Sequence, residues 1–543
     1  MACFVRRYRE RSSSSPFTSD AFSSIRGCVL SSPSFAGQFR CPRRRMCVVT
    51  ETSSTPGVKQ FAQVPRTSSF PILGSLSAYC GLAEHANVQE ACKAGLKLYR
   101  THGPIVVQKI PGRYSLVHLF SAKDFQKVFQ EEGRAPFRIG MAAMQHYRDR
   151  TSQMYTGASI LHIQGERWIS VRTAGNPHIL RNNAVMSYIP AIDSVARDAV
   201  SLIEKSTDDK DEVDDCFHLL RRWALESTMV ISIGVRLGCL EAPYAPQSAE
   251  SEAILDDTMV TLESLQAFCN RFPYYRYFTT PMWRRFQRAM DDYAVRVTKH
   301  ISDAASRFLN NKQREPRTIL EHLLVGNKLN FADMVTFTRD LIMGGIETTA
   351  SVATACLLDF AKYPEVQERA RNEVFAVVGE DVSAIQPEHV DRLPYLNACM
   401  KETMRLNPAI MGICRKLQQD AVLSGYLVPA KTTVFLHSLE ASRLPEHFSG
   451  PDTFLPERWI ASQEKCDEWV HSSLASLPFG SGRRTCIGRR IAETELTIIL
   501  AKILQRYKVE HHHQDVQFHE KLFVIPKEPA RLQFSNLRIC PHI

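Results

Sequence analysis

What this sequence lacks narrows it first. Its 15 cysteines include no Cys-x-x-Cys pair, which argues against structural zinc or a disulfide framework and for a reducing compartment. No internal repeat is evident. No run of about 18 apolar residues lies near the N-terminus, so no transmembrane anchor is expected there. Residues 1–50 have no lysine and only two acids, Glu10 and Asp20, against nine arginines. That stretch supplies +7 of the formal +10, leaving about +3 for the remainder. A global nucleic-acid-binding surface is therefore excluded, and any basic partner site must be a local patch.

What is present is a chain of 543 residues with 44% hydrophobic content, enough for a large core. The leader spreads Arg6, Arg7, Arg9, Arg11, Arg26 and Arg43-Arg44-Arg45 among Phe4, Phe17, Phe22 and Phe35, the composition of a mitochondrial targeting peptide. Residues 51–69 are Thr-, Ser- and Pro-containing and are expected to be a linker, with one domain over 70–543. Residues 88–101 have a helical pattern; 104–110 and 114–119 form a hairpin around Pro111-Gly112-Arg113, and Ser121 is placed to cap the next helix. From about 185 to 400 the pattern is long helices. The fold class is mainly α with a small β region.

The most informative stretch is Phe479-Gly480-Ser481-Gly482-Arg483-Arg484-Thr485-Cys486-Ile487-Gly488. Gly480 and Gly482 permit a tight backbone path. The apolar run from Ile491 to Leu500 predicts a buried helix whose N-terminus lies beside Cys486. Free N–H groups there, with Arg484 two residues away, are expected to favour a thiolate. The spacing Phe-x-x-Gly-x-Arg-x-Cys-x-Gly resembles the haem-binding loop of cytochrome P450. The resemblance runs over about residues 70–535.

It implies the cytochrome P450 fold, with haem b (iron protoporphyrin IX) between two core helices. Cys486 would be the axial metal ligand, favouring O–O cleavage. Phe479 and Arg484 belong to the same loop, and Arg484 would hold an anionic group of the cofactor. Trp168 and Arg172, a Trp-x-x-x-Arg pair on one helical face, would hold a haem propionate, and Arg415 the other. Gly344-Gly345-Ile346-Glu347-Thr348-Thr349 lies in an apolar helix over about 335–363. Two interior glycines cost roughly 1 kcal/mol each relative to Ala, which is understandable where a flat cofactor and a diatomic ligand approach the backbone. This resembles the family's oxygen-activation sequence, with Glu347 on a proton path and Thr348 guiding protons to oxygen. Glu402 and Arg405, with Arg458, match a structural charge cluster. Ile410, Met411 and Ile413 are candidate substrate contacts, 420–431 a strand hairpin, and 522–525 a strand whose tip enters the pocket. His511-His512-His513 is taken as a polar loop.

The implied function is a mitochondrial haem-thiolate monooxygenase inserting one oxygen atom from O2 into a C–H bond of a hydrophobic substrate of sterol or steroid type, with oxidation of foreign compounds as the alternative. Electrons would come from an acidic mitochondrial ferredoxin, itself reduced by an NADPH-ferredoxin reductase, docking near Lys401, Arg489 and Arg490. Asn397 stands where relatives often have a second lysine. A haem-thiolate isomerase or dehydratase, or a non-enzymatic haem protein, are the rival functions; Glu347-Thr348 speaks against the former. The expected location is peripheral to the matrix side of the inner mitochondrial membrane.

Overall fold

The computed structural model describes residues 57–68, 87–109, 115–138, 141–150, 155, 157, 159–241, 248–270, 273–311, 314–379, 384–460 and 474–537. The expected targeting segment 1–50 and the hairpin tip at 111–113 lie outside them. The helices of eight residues or more are, in chain order, α1 (Val88–His102), α2 (Ala122–Gln130), α3 (Ala142–Arg150), α4 (Gly165–Ile179), α5 (Asn182–Ser206), α6 (Cys216–Ile233), α7 (Ser248–Asn270), α8 (Pro281–Asn310), α9 (Ile319–Gly326), α10 (Phe331–Lys362), α11 (Pro364–Val378), α12 (Pro394–Leu406) and α13 (Arg489–Arg506).

Helix α10 is the axis of the body and packs most heavily on α6. Its start is written in Asn330, whose side chain accepts from the Asp333 amide at 2.8 Å, and its last turn carries Lys362. Thr338, Thr348 and Thr354 each donate to the carbonyl four residues back at 2.8 Å, so their hydroxyls are satisfied within the helix. The helix is long and apolar enough to cross a membrane, but 72% of its most apolar window is buried, as in a core helix. Helix α13 packs on α5, α11 and α10.

The β region is small and assembled from distant segments. Strands β2 (Ile105–Lys109) and β3 (Ser115–Leu119) pair antiparallel. Strand β8 (Thr433–Leu436) joins β3 in parallel, Val117 opposite Val434, and β5 (Ile413–Lys416) closes the sheet antiparallel to β8. Strands β6 (Ala421–Leu423) and β7 (Tyr426–Val428) form the expected hairpin. Ser424 and Gly425 turn it with φ of 46° and 83°, and Asp124 accepts from the Ser424 amide at 2.8 Å. Strands β10 (Phe518–Lys521) and β11 (Phe523–Pro526) form a second hairpin. Its tip residue Leu522 packs against the main core, and its amide donates to Gln266 of α7 at 3.0 Å.

Two expectations change. Part of the stretch taken as a linker is folded onto the body: β1 (Lys59–Gln60) pairs in parallel with β7, and Val64 is 2% exposed in the core of the β region. Val64 and the partly buried Phe61 give this stretch an apolar face, which a solvated linker would not have. Ser121 does stand at the N-cap of α2, but its side chain makes no capping hydrogen bond.

Candidate active site

The loop before α13 is built as its residue types dictate. Gly480 and Gly482 have φ of 69° and 74°, conformations that disfavour a side chain. The Cys486 amide donates to the Phe479 carbonyl at 2.9 Å, closing the turn. Gly488 is the N-cap of α13, placing Cys486 at that helix's positive end. Arg489 lies over the Phe479 ring, 5.6 Å from its centroid, and pairs with Glu493 at 2.9 Å.

Cys486 lies deep among protein atoms, yet its own surface is accessible, so it is not packed shut like Cys216 or Cys356. Burial pushes its thiol up; the Gly488 amide, Arg172 and Arg138 pull it down, and burial wins. For the free thiol, then, desolvation outweighs the helix end, and the guanidiniums that act on the sulfur are Arg172 and Arg138.

Four arginines converge here. Trp168 and Arg172 of α4 are both buried, at 3% and 8% exposure. Arg484 lies 4.1 Å over the Trp168 ring and donates to the carbonyls of Pro136 (2.9 Å) and Ile163 (2.8 Å) and to Gln164 Oε1 (2.8 Å). Arg415 comes from β5. Arg138, which no motif announced, follows α2. Burial first, and then Arg138, Arg415 and Arg172, depress the Arg484 guanidinium to about 9. Glu132 is the carboxylate that answers them. It accepts from Arg415 Nε at 3.2 Å and from the Arg483 amide at 2.6 Å. A Cβ on Gly482 would stand 2.2 Å from its Oε1, so this glycine is also required by the carboxylate pressed against it. The signal for Glu132 and Arg138 was absent from the spacing: charges just past a helix end look like solvated surface.

Beside this cluster, α10 presents bare backbone. Gly344 is exposed in the middle of an otherwise buried helix, and a Cβ there would meet nothing within 4 Å. Gly345 has a different reason: its Cβ would lie 2.4 Å from Thr228 Cγ2 of α6. The expectation that both glycines admit a cofactor and its ligand is therefore corrected for Gly345, which permits close helix packing.

Glu347 and Thr348 diverge. Thr348 is half-buried, its hydroxyl bonded to the Gly344 carbonyl. Glu347 is 1% exposed and turns toward α6 and α7. Arg221 grips both its oxygens at 2.8 Å, and Thr258 donates to Oε1 at 2.9 Å. Adjacent helical residues point about 100° apart, so the pair does not form one acid–hydroxyl unit.

The residues present fit a haem. The Nε of Arg172 and one Nη of Arg484 are buried without a hydrogen-bond partner. Of the four guanidiniums only Arg415 bonds the one carboxylate, Glu132, so the cluster can take the acidic side chains of a bound group. The loop before α13 offers the Cys486 sulfur and α10 an open face at Gly344, and these two helices pack together. Ile413 reaches the cysteine loop, its Cδ1 3.5 Å from where a Gly480 Cβ would be. Met411 instead packs against a satellite core with Val88, Leu439 and Val524.

The sequence matches the family model described as cytochrome P450 over residues 65–534. It is 30% identical over 505 residues to probable cytochrome P450 49a1 of Drosophila melanogaster, covering 89% of this chain and 85% of the relative. It is 30% identical over 499 residues to probable cytochrome P450 12a5, mitochondrial, of the same species, covering 88% and 91%. Against cytochrome P450 CYP12A2 of Musca domestica the identity is 28% over 520 residues, covering 91% and 94%.

Proposed function

The chain belongs to the cytochrome P450 family of haem-binding monooxygenases, and from that premise we propose that it works in the mitochondrion on a sterol- or steroid-type lipid with electrons from a ferredoxin. The convergence of Arg138, Arg172, Arg415 and Arg484 beside Cys486 carries the site assignment. Arg172, Arg415 and Arg484 would bind the acidic edge of haem b, Trp168 would back Arg484, and Cys486 would supply the sulfur. When bound, the haem supplies oxygen activation that no side chain can perform.

The chain's own residues do the rest. Thr348 donates its hydroxyl proton to the Gly344 carbonyl at 2.8 Å, on the open side of α10. Glu347 links α10 to α7 through Arg221 and Thr258, and a proton route by way of its carboxylate requires the Arg221 pair to open. The mitochondrial reading rests on the Arg-rich leader and on relatives named mitochondrial. Lys401, Arg489 and Arg490 are exposed and suit an acidic protein donor. Asn397 turns inward to accept from Thr497 at 3.0 Å, so the docking face lacks that position. Exposed Tyr274, Tyr277 and Phe278 between α7 and α8 suit peripheral contact with the inner membrane.

The test is the reduced carbon monoxide spectrum of purified protein. A red-shifted Soret band is expected, and Cys486→Ser should abolish it; an unchanged band in that variant would remove the sulfur from the assignment. A panel of sterols, steroids and foreign compounds, scored by spectral shift and by turnover with ferredoxin, reductase and NADPH, then decides the substrate class.

A further inference from the structure

A cleft of about 250 Å³ between α4 and α9 takes no part in the chemistry above. His178, Arg181, His322 and Lys328 line it, and among the described residues no Asp or Glu does. The two imidazoles stack face to face, 4.9 Å between centroids and 8° between planes. Both are half-buried, while Arg181 and Lys328 are exposed. Arg181 is also the N-cap of the 25-residue α5 and offers its first turn no side-chain acceptor. The positive end of that helix therefore opens beside the cleft. The C-terminal end of α4 has the opposite sign, but four basic side chains outweigh a partial charge.

We propose that this cleft binds a phosphate-class anion, either free phosphate or the phosphate of a lipid headgroup, clamped by Arg181 and Lys328 and by His178 and His322 in their protonated forms. Burial lowers the affinity of both imidazoles for protons, and His322, Lys328 and Arg181 push His178 the same way. The one acid acting on His322 is its neighbour Glu321. That carboxylate is already taken by Arg314 at 3.3 Å and by the amides of Arg317 (2.7 Å) and Thr318 (3.1 Å). At neutral pH the imidazoles are mostly neutral. An anion between them reverses the repulsion, so binding takes up protons and tightens as pH falls.

The experiment is calorimetric titration of the haem-loaded protein with inorganic phosphate at low salt, at about pH 6 and about pH 8. Saturable binding is expected. Phosphate itself takes up a proton between these pH values, so the pH dependence is read with sulfate, whose charge is constant there. Sulfate binding should be about tenfold tighter at the lower pH, with proton uptake visible as a buffer-dependent heat. The double variant Arg181→Ala, Lys328→Ala should lose binding, and His178→Gln, His322→Gln should lose its pH dependence, both with the carbon monoxide spectrum intact. A parallel arm measures flotation with phosphatidylcholine vesicles containing phosphatidylglycerol. Binding of phosphate alone identifies a free anion. Vesicle binding abolished in the arginine–lysine variant, without phosphate binding, identifies a headgroup. Neither, or binding that all variants retain, overturns the proposal.

Discussion

Two buried charge clusters in this molecule are built on opposite plans. Around Glu402, at 0% exposure, Arg405 donates to both oxygens at 2.8 and 2.9 Å, and Arg458 adds a bond of 2.9 Å. Trp459 Nε1 (2.8 Å) and the Leu455 amide (3.0 Å) complete the carboxylate. The N–H groups of Arg405 that remain, on Nη1 and Nη2, reach the carbonyls of Ser442, Pro451 and Thr453. That cluster is closed. Around Cys486, Arg138, Arg172, Arg415 and Arg484 gather, but Glu132 accepts from the side chain of Arg415 alone among them, and two guanidinium nitrogens go unpartnered. A closed cluster serves the fold alone; an open one is finished by something the chain does not contain.

The difference can be broken by substitution. Glu402→Ala leaves Arg405 and Arg458 as uncompensated buried cations, which costs about 3–5 kcal/mol. The loss should be the same with or without haem. Arg172→Gln removes a cation that has too few partners, so the haem-free protein should change by less than about 0.5 kcal/mol, while haem retention falls about tenfold. Chemical unfolding of both forms, with haem loss to an acceptor protein, checks this. Equal destabilisation of the haem-free forms would erase the distinction between the clusters.

Glu132→Ala tests the intermediate case. It removes the acceptor for Arg415 and the Arg483 amide and leaves four guanidiniums facing each other. The haem-free protein should lose about 2–3 kcal/mol and the haem-loaded protein less, because the bound acidic groups replace the missing carboxylate. Glu132→Gln keeps an acceptor for the amide and should fall between. A larger loss in the loaded form would place Glu132 with Glu402.

Buried acids without a cation give a third kind of site, and pH separates it from the other two. Glu495 of α13 accepts from Ser227 Oγ at 2.5 Å, and burial pushes its carboxyl up from 4.5 to about 7. In the folded state it holds its proton while the unfolded chain ionises. Stability therefore falls as pH rises from about 4.5 to about 7, by at most about 1.4 kcal/mol per pH unit. Glu402, whose carboxyl is held down by Arg405, contributes with the opposite sign, losing stability as pH falls. Glu495→Gln should flatten the first slope in urea midpoints measured across that window and leave the second.

The sequence was most legible where chemistry is compressed. Ten residues around Cys486 carried the loop, and the apolar run around Gly344 carried the middle of α10, though its start at Asn330 lies some residues ahead of where that run places it. Charge partners far apart were not legible: Glu132 meets the Arg483 amide across 351 positions, and nothing local marks the pair. Strand β8 was equally hidden, since its pairing with β3 joins Val117 to Val434. The burial that pushes the free Cys486 thiol up is a property of the whole fold and could not be read from the helix end and neighbouring arginine. Glu347 and Thr348 look like one unit in the sequence, and helix geometry sends them to different neighbours.

The two glycines of α10 bring the same contrast down to single atoms. Gly345 faces protein, and Ala there would drive a methyl to within 2.4 Å of Thr228 Cγ2. Thr228 is 8% exposed on α6 and its hydroxyl bonds back to that helix, so it has little room to yield. Overpacking of this kind costs about 1–3 kcal/mol. Gly344 faces the open side, where an added methyl meets nothing within 4 Å. Gly344→Ala should therefore stabilise the haem-free protein by up to about 1 kcal/mol through helix propensity, while narrowing the space beside Thr348 and altering substrate-induced spectral shifts. Thermal unfolding of both variants, haem-free and loaded, reads the signs directly. If Gly345→Ala is neutral and Gly344→Ala destabilising, the open face of α10 has been assigned to the wrong glycine, and the position of the site along the helix must move with it.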